Sequence, residues 1–186
     1  MKIDDKNLKP DVNSEVSSGN LPTRELALRL RNPSLSPVHE VIDLVRQIGE
    51  APSGEGTDLV LGLAKRIFAQ EGEQIAIYKD NELQRICLAY LFNHAREESI
   101  GVAQVGMASN DPEIKAQAYL IVCSGQHNSV VKEMLRNLDL VSRATVLGAF
   151  LFSGDHRLAE CGKEVLDELR GPDLGVLKGL VLKDAA

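Results

Sequence analysis

Cysteine and histidine are the residues whose spacing here invites a chemical reading. Cys123 and His127 lie four apart, His156 and Cys161 lie five apart, and His94 adds a further imidazole. Zinc takes four such ligands in a tetrahedral cluster. The local pattern argues against a cluster, because Cys123 falls in an apolar helical run while His127 sits beyond Gly125. His156 and Cys161 fall on different faces of one helix. Cys87 and His94 lie seven apart within one helical run. Two turns separate them by about 10 Å along the axis, too far for a thiolate–imidazole hydrogen bond. The carboxylate pairs Glu71/Glu73 and Glu97/Glu98 point apart and read as solvated surface. No Gly-x-Ser-x-Gly elbow or His-Glu-x-x-His run appears, and Gly54-Glu55-Gly56 lacks the Lys-Ser/Thr of a nucleotide loop. The expectation is no catalytic residue, no metal ligand and no cofactor, with the cysteines acting as small buried hydrophobes.

Composition narrows the function classes further. The 186 residues carry a net charge of −6, and aromatics make up only 4% with no Trp. Nucleic-acid binders rely on basic stripes and stacking platforms, so a nucleic-acid partner is not expected. Lys and Arg are dispersed among acids, as in Arg96-Glu97-Glu98. An odd number of cysteines without CxxC spacing fits a reducing compartment. There is no Sec-type apolar segment near Met1 and no run approaching the ~20 residues that cross a bilayer. A cytoplasmic protein without membrane insertion is therefore expected.

The elements that must position any site are helices. Residues 1–20 are polar and rich in Asp, Asn, Ser and Lys, and are expected to form a disordered arm. From 21 to 186 a helical period dominates, consistent with one helical domain. Thr23–Arg31 forms a first helix, stopped by Asn32-Pro33, and Ser36 is placed as the cap of a second that ends at Gly49. Residues 51–56 form a loop, followed by a helix over 57–70 closed by Gly72. Further helices open at Asp80, Ser99, Asp111, Asn128, Asp139 and Asp155, and a last one covers 173–182. The Gln74–Tyr78 run alternates like a strand but has no partner, so it reads as loop.

The clearest start signal is Asp111-Pro112-Glu113-Ile114-Lys115-Ala116-Gln117-Ala118. Asp111 suits a cap, Pro112 the first helical position, and Ile114, Ala118, Ile121 and Val122 share one face. This stretch resembles the helical opening of a HEAT-type repeat, with Asp-Pro, an aliphatic, a basic residue and a small alanine. The resemblance implies an all-α fold, a HEAT-like right-handed α-α superhelix of eight to ten short helices. The alternative is a compact non-repeating bundle. Aligning Asp80, Asp111 and Asp155 gives intervals of 31 and 44 residues, the second too long for one helix pair.

Some HEAT-type proteins are enzymes, including DNA glycosylases and bilin lyases, but the residues that carry that chemistry have no counterpart here. A stacked helical array instead implies an open flank for a protein partner. Glu113, Lys115, Gln117, Arg157 and Glu160 are the candidate partner-binding residues. The expected function is a non-enzymatic protein-interaction or adaptor module. The alternatives are an exported effector, because the Ser- and Asn-rich arm resembles the tails of type III secretion substrates, and an enzyme with a cleft the sequence does not reveal.

Overall fold

Side-chain carboxylates start the principal helices. Asp80 accepts from the Leu83 amide, Asp111 from Glu113 and Ile114, and Asp139 from Val141 and Ser142. Each satisfies backbone donors that have no partner inside the helix. The computed structural model describes residues 21–50, 54, 56–69 and 75–168, together with Gly175 and Gly179. Among these residues are nine α-helices and no strand. They are α1 (Leu21–Arg29), α2 (Val38–Glu50), α3 (Thr57–Phe68), α4 (Asn81–His94) and α5 (Ile100–Gly106). After these come α6 (Pro112–Ser124), α7 (Asn128–Arg136), α8 (Leu140–Phe152) and α9 (His156–Glu168). Short 3-10 turns cover Pro33–Leu35 and Ala76–Lys79. The second turn buries Ile77 and Tyr78, so the alternating run is neither strand nor plain loop.

Three expected boundaries are corrected by the packing around them. The Ser36 hydroxyl does not cap α2; it faces the Arg29 and Asn32 carbonyls at the end of the preceding helix. Gly49 does not end α2, which continues through Glu50. Its missing side chain serves proximity instead, since a Cβ there would lie 3.3 Å from the Tyr90 ring. Asn128 does not cap α7, because its side-chain oxygen is taken by Arg157 at 2.8 Å. His127 takes the capping position, with extended backbone and Nδ1 accepting from the Ser129 amide.

The first helix is shifted to Leu21–Arg29, and the third ends at Phe68, before the expected Gln70. Gly54 and Gly56 adopt left-handed φ of 63° and 89°, which places a turn where the loop was expected. The disordered arm 1–20, the stop at Gly72 and the helix over 173–182 lie outside the described residues, except that Gly175 and Gly179 are helical.

Packing arranges the helices in two sets. α2 packs on α4, α4 on α6, and α6 on α8, forming a row. α3 lies against α4 and α5, α5 against α6, and α9 against α7 and α8. Within the row α4, α6 and α8 bring their first turns together. Asn81, opening α4, donates to the Asp111 carboxylate at 2.9 Å, and the Lys115 ammonium meets Ser142 in the first turn of α8 at 3.0 Å. One contiguous apolar cluster runs from Leu26 to Val165. Its centre is α6, where Ala116, Ala118 and Gly106 of α5 allow close approach. A Cβ on Gly106 would come within 3.1 Å of that on Ala118.

The row also corrects the repeat alignment. The helix that follows α6 in it is α8, capped by Asp139, whereas Asp155 opens α9 in the other set. The cap intervals become 31 and 28 residues, and the long second interval disappears. Counting from each cap, positions +3, +7, +8 and +11 are buried in all three helices: Leu83, Cys87, Leu88 and Leu91, then Ile114, Ala118, Tyr119 and Val122. In α8 the same positions are Ser142, Val146, Leu147 and Phe150.

Candidate functional site

The chemistry suggested by cysteine and histidine spacing is not assembled. Cys87 is fully buried in α4, and burial pushes its thiol up to about 12. His94, at the far end of that helix, packs its ring on Tyr90 with centroids 4.5 Å apart. Cys123 is likewise pushed up to about 12, first by burial and then by the nearby Cys161. Cys161 is raised by burial, with its sulfur 3.9 Å from the Asn128 carbonyl. A nucleophilic cysteine needs the opposite, a thiolate favoured by positive surroundings. His127 is occupied as a cap and His156 is exposed. Among the described residues no three His, Cys, Asp or Glu side chains converge as a metal site. No helix there is long and apolar enough to cross a membrane.

The five residues expected to meet a partner divide into two groups. Glu113 and Gln117 lie on the outer face of α6, at positions +2 and +6 from the Asp111 cap. Lys115 turns toward α8 and donates to Ser142. Arg157 and Glu160 belong to α9, outside the row. Glu160 pairs with Lys163 at 2.7 Å on its own helix, a pairing that lowers its carboxyl below the ordinary value.

Arg157 is not a free surface cation. Its guanidinium donates to the carbonyls of Cys123 at 2.6 Å, Ser124 at 2.9 Å and Gln126 at 2.8 Å, and to the Asn128 side chain. The last carbonyls of α6 have no acceptor role inside their own helix, and a cation there complements the macrodipole. Arg143 serves the end of α7 in the same way, donating to the Arg136 and Leu138 carbonyls. Arg96 binds Asp155 at 2.9 Å and lies over the Phe92 ring, tying the end of α4 to the start of α9. These clamps tie helix ends together.

A surface remains that the candidate residues mark only in part. In α4, α6 and α8 the positions +2, +6, +9 and +13 from the cap share one face. In α4 these are Glu82, Ile86, Ala89 and Asn93, all exposed or half-buried. In α6 they are Glu113, Gln117, the buried Leu120 and Ser124. In α8 they are Val141, Thr145, Gly148 and Phe152, with Val141 59% and Phe152 63% exposed. α2 adds His39, Asp43, Arg46 and Glu50, all exposed at the same four-three-four spacing.

Ion pairs Arg46–Glu82 at 2.5 Å and Arg85–Glu113 at 3.4 Å cross this face from helix to helix. Charge declines along it, from four polar or ionised positions on α2 to none that ionise on α8. The one charged side chain within α8, Arg143, is turned to the end of α7. Sequence reading missed Val141, Phe152, Ile86 and Asn93. Aligning Asp139 with Asp80 and Asp111 is the signal that finds them.

No protein-family model matches this chain, and neither do the curated proteins or the solved structures compared with it.

Proposed function

We propose that this chain is a non-enzymatic protein-interaction module, a HEAT-like right-handed α-α superhelix whose partner meets the shared outer face of α4, α6 and α8. The observation that carries this reading is the uncharged end of that face, where Val141 and Phe152 stand exposed three turns apart on α8. An uncharged strip with apolar ends, rimmed by polar residues, is a surface that a protein partner can desolvate. The row, with caps 31 and 28 residues apart, favours a stacked array over a closed bundle. A protein is the partner class, since the face offers neither a basic stripe nor an aromatic platform.

The test places a photo-crosslinking residue at Gln117, at Phe152 or at Lys163 in the full chain, in the cells that make it. Gln117 and Phe152 should yield an adduct with the same protein, and Lys163 on α9 should not. Adducts from Lys163 alone, or none from the two face positions, would overturn the reading.

A further inference from the structure

We draw no further inference here: the strongest candidate, the uncharged strip Val141–Thr145–Gly148–Phe152 along α8, belongs to the face already proposed, and nothing in the structure shows what covers it.

Discussion

Replacing Arg157 by alanine should weaken the fold far more than loss of a surface cation would. Four acceptors take a hydrogen bond from the guanidinium: three carbonyls at 2.6–2.9 Å, of which that of Cys123 also accepts from the Gln126 amide, and the Asn128 side chain at 2.8 Å. A hydrogen bond to a charged group contributes roughly 1.5–3 kcal/mol, so a plain sum would reach about 6–12 kcal/mol. That sum overstates the loss, because Gln126 is exposed and water replaces the donor there. The Cys123 and Ser124 carbonyls are partly buried and lose more, as does the negative end of the α6 macrodipole. We expect a net loss of about 3 kcal/mol. For a domain of this size that lowers Tm by roughly 6–12 °C. Urea unfolding followed by ellipticity at 222 nm should show a lower midpoint with an unchanged slope. Arg157→Lys, a point charge without the planar fork, should retain only part of the stabilisation, about half by count of reachable acceptors. A loss below ~0.5 kcal/mol for alanine, within the range of ordinary surface changes, would refute the clamp. A lysine variant as stable as the parent would refute the need for the fork.

Two glycines should respond to alanine with opposite signs. Gly106→Ala drives a methyl to 3.1 Å from Ala118 and 3.4 Å from Leu88 and Phe68, and should cost about 1–3 kcal/mol by urea titration. Gly148→Ala meets nothing within 4 Å inside α8 and should stabilise by up to ~1 kcal/mol. Asp111→Ala removes the acceptor for two amides and should cost about 1 kcal/mol, while Asp111→Asn should recover most of it. Glu168 is held below the ordinary carboxyl value by Lys132 and Arg136, and Lys132 is held above the ordinary lysine value by Glu164 and Glu168. Stability from Glu168 is therefore present above the unfolded carboxyl value and fades as pH falls through the folded one. The Lys132 contribution fades as pH rises through its folded value. Glu168→Gln should accordingly be less stable than the parent at pH 7; the two urea midpoints should converge in acid, while in strong alkali the gap should narrow but persist, because Arg136 keeps its charge. A gap that stayed constant across pH would sink this assignment.

What the sequence made legible was whatever local chemistry decides. Asp80, Asp111 and Asp139 announce their helices because a carboxylate one residue before the first turn has a single good use. The fates of Ser36, Gly49 and Asn128 were not legible, since each was decided by a residue distant in sequence or by the preceding helix. Tyr90 needed the space at Gly49, and Arg157 claimed Asn128. Arg157 illustrates the general difficulty: a cation on a polar helix face reads as solvated until its partners, 29 to 34 residues away, are placed beside it. Glu113 and Gln117 could be read as outward-facing because the α6 pattern was strong. Val141 and Phe152 were missed because apolar residues in an apolar helix look like core until one knows which side is covered.

The two thiols pushed to about 12 turn the interior into a reporter. Burial keeps each a neutral thiol in the closed molecule at neutral pH, so an alkylating reagent waits for an opening event. Cys87 is buried in α4 and Cys123 at the clamped end of α6, so their labelling rates time separate excursions of the same chain. Loosening of the α6 end would quicken one clock and leave the other at its own pace, a distinction that bulk melting curves average away.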